Sequence, residues 1–208
     1  MSKRIQQTAG ATVAATVLTG VGAAEKLQLN ELIEKIKSRD AQARTAAWQS
    51  AASLGAAAVK PMAELLKEPD LEVARAGERC LWKIVHTAGR PGSEQEKKAV
   101  VAELLSLLIS EPRIQHEVLW MLSELAGAEA VPAIDKLLSQ KEVREDARAV
   151  LQRIGGKAAI DALKAGLESA PQDFKPAIAQ ALRAQGVKVD GYPSSHLSPS
   201  KQTSLKAS

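Results

Sequence analysis

Gly127–Leu138 reads GAEAVPAIDKLL, and its apolar residues Val131, Ile134 and Leu138 stand at i, i+3 and i+7. That spacing puts three side chains on one face of an α-helix. The triplet recurs as Val59, Met62 and Leu66, as Val101, Leu104 and Leu108, and as Ile160, Leu163 and Leu167. Another helix precedes each copy. Its core positions align as Ala43/Ala47/Ser50/Ala51/Leu54, Val73/Gly77/Cys80/Leu81/Ile84, Ile114/Val118/Met121/Leu122/Leu125 and Val143/Ala147/Val150/Leu151/Ile154. The pattern predicts an all-α chain, with helix pairs stacked as one domain over residues 25–186.

Stacking follows from energetics. A helical hairpin of about 30 residues loses about 1.5 kcal/mol of conformational freedom per ordered residue, more than its single apolar stripe offsets. Each pair therefore needs neighbours, which makes the fold an α-solenoid of antiparallel helix pairs with polar ends. Leu27–Lys37 (LQLNELIEKIK) supplies an opening half-repeat through Leu29, Leu32, Ile33 and Ile36, and Gln172–Arg183 a closing one through Phe174, Ile178 and Leu182. Gly55, Gly127 and Gly155-Gly156 fall at the expected helix stops, Asp40 and Asp70 at N-caps, and Pro69 and Pro112 between repeats. The interval from Val59 to Val101 is longer than those that follow. His86–Lys98 (HTAGRPGSEQEKK) accounts for the difference as a Gly-, Pro- and charge-rich insertion over residues 86–98.

Composition agrees. Aromatics are 2% of the chain and hydrophobics 45%, so the apolar weight lies in Ala, Leu, Val and Ile, which suits helix packing better than sheet. The single Cys80 excludes an internal disulfide and a cysteine-based zinc site. Lys3 and Arg4, with Lys188, Lys201 and Lys206 against Asp190, account for the whole net charge of +4. The repeat body is balanced. A nucleic-acid footprint needs basic excess on a folded face, so no nucleic-acid partner is expected.

Residues 1–24 begin with Lys3 and Arg4, continue as the uncharged TAGATVAATVLTGVGAA, and end on small residues. This is the layout of a secretory signal cleaved near Ala23 or Ala24. It predicts an exported protein, periplasmic or secreted. The alternative is a disordered leader on a cytoplasmic one. The stretch is too short and too polar for a membrane span. At the other end, residues 187–208 are rich in Ser and Pro and are expected to be a disordered tail.

The stretches DLEVARAGERCLWKI, SLGAAAVKPMAELLKEPD and ELAGAEAVPAIDKLLSQKEVREDARAVLQRIGGKAAIDAL resemble the short HEAT-like repeats named after phycobilisome lyases. The resemblance covers roughly residues 27–184. It implies an adaptor or scaffold whose partner is another protein. Some relatives are enzymes, namely DNA alkylpurine glycosylases and metal-dependent hydroxylases, and these form the alternative reading. The hydroxylases need several His-Glu pairs, whereas this chain has one, His116-Glu117, with Arg75-Ala76 and Glu145-Asp146 at the equivalent places. The glycosylases need a basic groove with aromatics. No phosphate loop, nucleophile motif or CxxC is present. The expectation is therefore no catalytic residue, no metal and no cofactor.

The candidate partner-binding residues are Trp48, Trp82 and Trp120 on the first helices and Lys60, Glu64, Asp135 and Lys136 on the second. Trp82 and Trp120 fall away from the core stripe, and an outward Trp in a chain with few aromatics is a candidate hot spot. In the alternative, the 86–98 stretch or the next repeat folds over Trp82. Cys80 occupies a core slot and is expected to be buried and inert.

Overall fold

The computed structural model describes residues 26–193, so the leader expected over 1–24 and residues 194–208 of the expected tail lie outside the described residues. Among the described residues every regular element is helical, and the fold is all-α. No helix there is long and apolar enough to cross a membrane. Where the sequence reading has one array, contacts divide the chain into two compact units, with the division in the chain between Ala130 and Val131.

The first unit opens with helix α1 over residues 26–37. It continues with α2 (Ala41–Ser50), α3 (Val59–Leu65), α4 (Leu71–Ala88), α5 (Glu94–Ser106) and α6 (Pro112–Leu125). Asp40 and Asp70 cap their helices as the sequence requires. Asp40 Oδ1 accepts the Gln42 N–H at 2.8 Å, and Asp70 Oδ1 accepts that of Glu72 at 2.9 Å. Pro112 takes the first turn of α6, where its missing N–H costs nothing. The 3₁₀ stretch Ala51–Ala58 between α2 and α3 is broken at Gly55, whose φ of 50° and ψ of −137° only glycine adopts freely.

α4 is the centre of this unit, packing against α2, α3, α5 and α6. Its Val73, Gly77, Cys80, Leu81, Ile84 and Val85 are all buried. Burial of each large aliphatic there contributes about 1.5–3 kcal/mol. Gly77 sets how closely α4 approaches α3. A methyl at that position would stand 2.8 Å from Leu65 Cβ and 3.1 Å from the Met62 carbonyl oxygen.

The expected insertion over 86–98 takes a different form. His86–Ala88 complete α4 and Glu94 onward begins α5, leaving only a short turn between the two helices. The run EQEKK is made of helix formers, and Glu94 and Glu96 in the first turn complement the positive end of the helix. Glu96 also reaches the previous hairpin: its Oε1 accepts the Ala56 N–H at 2.9 Å, just past Gly55. Gly127 likewise departs from its expected form. α6 ends with Ala126 extended (φ −76°, ψ 151°), and the Gly127 N–H is held by Glu129 Oε1 at 2.9 Å, so no left-handed residue is used.

The second unit comprises α7 (Val131–Asp135), α8 (Arg144–Ile154), α9 (Gly156–Ser169) and α10 (Lys175–Ala184). Leu163 and Ile178 are fully buried, while Ile160 and Leu167 of the fourth triplet are only half-buried. Arg144 spans this unit. Its guanidinium lies 4.6 Å from the Phe174 ring centroid and 2.6 Å from Asp173 Oδ2. Part of the stretch expected to be a disordered tail is held in place. Arg183 Nη2 and Nη1 donate to the Val189 and Tyr192 carbonyls, both at 2.9 Å, and Nη2 also donates to that of Gly191.

One capping device repeats and was not read from the sequence. The residue after the first core position of a helix pair donates back to a carbonyl at the end of the preceding helix. Arg44 Nη1 donates to Ser38 O at 2.6 Å, Gln115 Nε2 to Leu108 O at 2.6 Å, and Lys175 Nζ to Glu168 O at 3.2 Å. These are carbonyls a helix end leaves without an internal partner. Gln115 is itself buried, so its bond also removes the cost of a buried amide.

The two buried helical glycines should respond differently to alanine. At Gly77 the added methyl meets a backbone oxygen and a Cβ, whereas at Gly166 it meets the Leu138 Cδ1 methyl at 2.8 Å, a side-chain end that can turn away. Gly77→Ala is expected to destabilise by about 1–3 kcal/mol despite a helix-propensity gain of about 1. Gly166→Ala should stay within about 1 kcal/mol of neutral. Urea unfolding followed by circular dichroism distinguishes them.

Candidate functional site

The three tryptophans all lie in the first unit. Trp48 of α2 and Trp82 of α4 are half-buried. The Trp82 ring centroid lies 5.4 Å from that of His86, tilted by 39°, so a side chain one turn along its own helix covers one face. Trp82 is thus neither bare nor folded over. Trp120 of α6 is exposed, at 51% of its surface. The helix behind it is tightly packed: Val118, Leu119, Met121 and Leu122 are fully buried.

The charged candidates on the second helices are largely engaged within the chain. Lys60 Nζ meets Glu103 Oε2 at 2.9 Å, joining α3 to α5, and Glu64 meets Lys67 at 2.8 Å. Lys37 and Glu68 pair at 2.6 Å, from the end of α1 to the link that follows α3. Such exposed pairs contribute about 0–1 kcal/mol each, so they set neighbouring helices in register more than they stabilise them. In the second unit Asp135 and Lys136 line an open groove of about 400 Å³ together with Leu138, Ser139, Ala165 and Ser169.

Cys80 has 0% exposure, and burial pushes its thiol up to about 12. At neutral pH it carries essentially no thiolate, the form that reacts. The other shifted acids have structural causes. The Gly127 N–H holds Glu129 below the usual carboxylate range, with Lys97 and Lys98 adding to it. Lys157 lowers Asp161, and Arg144 lowers Asp173. Among the described residues no three His, Cys, Asp or Glu side chains gather closely enough to hold a metal ion. His116 and Glu117 are both half-buried on α6.

What sequence reasoning missed on this surface is the charge on α4. Arg75, Arg79, Lys83 and His86 recur at i, i+4, i+8 and i+11, the period that also places Trp82 among them. The signal was present but was averaged away in a net charge taken over the whole body.

No protein-family model matches the chain, and no curated protein matches it. Among solved structures it is similar to two crystal structures of engineered proteins from the Northeast Structural Genomics Consortium. The first is 25% identical with a TM-score of 0.40, over 76% of this chain and 78% of the other. The second is 24% identical with a TM-score of 0.38, over 76% of this chain and 47% of the other, so the chain spans about half of its length. The fold rests on the chain's own helices, and the site on its own geometry.

The state of Cys80 is directly measurable. Ellman's reagent is expected to leave the folded protein unmodified and to react with one thiol per chain in denaturant. Prompt reaction without denaturant would contradict the buried position.

Proposed function

We propose that this chain is a non-catalytic protein-binding scaffold, an α-solenoid of HEAT-like repeats whose partner is another protein. The observation that carries this reading is Trp120, exposed over half its surface on a helix whose neighbouring apolar residues are fully buried. Leaving an indole in water forgoes about 1.5–3 kcal/mol of burial. Exposed aromatics of this kind are the side chains most often found at the centre of binding sites. The surface charges support the same reading. Those of the second helices in the first unit are engaged in pairs between and along helices, and the shifted acids answer to capping N–H groups and ion pairs.

Capture from the native host with the purified full chain tests the proposal, comparing wild type with Trp120→Ala. The substitution is expected to leave stability within about 1 kcal/mol and to reduce recovery of a specific partner at least about tenfold. Equal recovery by both proteins would remove Trp120 from the interface and the proposal with it.

We also propose that the protein is exported, on the basic, apolar and small-residue layout of residues 1–24. Protein isolated from its host should then begin near Ala24 or Glu25 when its amino terminus is sequenced. Recovery of the chain with Met1–Ala24 intact in a cytoplasmic fraction would refute export.

A further inference from the structure

The outward side of α4 combines charge and aromaticity in a way the rest of the chain does not. Taking about 100° per residue, Arg75, Arg79, Trp82, Lys83 and His86 fall within about 100° of arc on that helix. Arg75, Arg79 and Lys83 form two successive like-charge i, i+4 spacings, each of which costs a helix about 0.2–0.5 kcal/mol. Only Arg75 is relieved, by Glu72 at 3.1 Å. Among the described residues Arg79 and Lys83 meet no acidic partner. The elements around the stripe do not neutralise it. α2 contains no acid, and α6 contributes Glu117 and Glu124, which already have partners. In repeat register, Arg79 of α4 corresponds to Trp120 of α6, and these two helices pack together. The cationic stripe and the exposed indole therefore occupy corresponding positions on two helices that pack together.

We infer that this outer face of α4 and α6 docks an acidic segment of a partner protein, with an apolar side chain seated against Trp82 and Trp120 and carboxylates meeting Arg79, Lys83 and His86. The inference rests on the scaffold reading and names the chemistry of its partner. Charge complementarity supports it: the body of the chain has no net excess of basic residues, so the unpaired cations on α4 are a local segregation. Arginine suits the role because its planar fork meets carboxylates in a bidentate manner and stacks on indole. A polyanionic nucleic acid fits less well. It needs an extended basic track, whereas the basic stripe here is confined to one face of a single helix.

The test titrates the full chain with a synthetic peptide in which Asp-Glu pairs flank a single leucine. The same peptide with Asn and Gln in place of the acids serves as one control, and single-stranded DNA as another. Tryptophan fluorescence and calorimetry read the binding. Saturable binding of the acidic peptide is expected, weakening as salt is raised, with the Asn/Gln peptide at least about tenfold weaker. Arg79→Glu with Lys83→Glu should lower affinity at least about tenfold. Lys141→Glu with Lys164→Glu, an equal change of charge in the second unit, should alter it less than about twofold. If the glutamate pair disturbs the circular dichroism spectrum, Arg79→Gln with Lys83→Gln replaces it with the same expectation. The inference is overturned if the acidic peptide does not bind, if both double variants lose affinity equally, or if DNA binds more tightly than the peptide. Should that happen while partner capture still depends on Trp120, the acidic-segment inference falls and the scaffold reading stands. Loss of both results would end both.

Discussion

The close approach of α4 to α3 at Gly77 governs how the first unit is assembled. With no side chain there, Leu65 and the Met62 carbonyl come within reach of the α4 backbone, and α4 can touch α2, α3, α5 and α6 at once. Every large aliphatic on its inner side is then buried, and its cations are displaced onto the remaining arc. The cationic face is thus a by-product of the packing. A helix hemmed in on so many sides has one direction left for Arg79, Lys83 and His86.

The repeat was legible because its physics is local. Spacings of three and four residues mark one helix face whatever that face packs against, so Val59, Val101 and Val131 could be placed in the core before any contact was known. Ile160 and Leu167 fit the same pattern yet remain half-buried. Periodicity identifies a face without saying how much covers it. The stretch 86–98 takes its helical form for a related reason. Gly89, Pro91 and Gly92 dominate a reading by composition, but they occupy only the turn, and the residues around them lengthen two helices.

The polar contacts were much harder to foresee. Glu96 reaching Ala56, Gln115 reaching Leu108 and Arg183 gathering three carbonyls depend on where the backbone runs out of partners. That is settled by the fold as a whole and leaves no spacing to read. The same holds for the tryptophans. Their angle on the helix could be computed, but the cover that His86 gives Trp82 and the exposure of half of Trp120 come from the folded structure.

The backward-reaching donors Arg44, Gln115 and Lys175 bear on how such arrays are rearranged. Each ties the opening turn of one helix pair to the closing turn of the pair before it. A chimera spliced at one of these three connecting loops would draw donor and acceptor from different parents and strand a carbonyl at that seam. Splicing in mid-helix, away from these turns, keeps the two together, so the natural unit of exchange here is offset from the hairpin that the eye picks out.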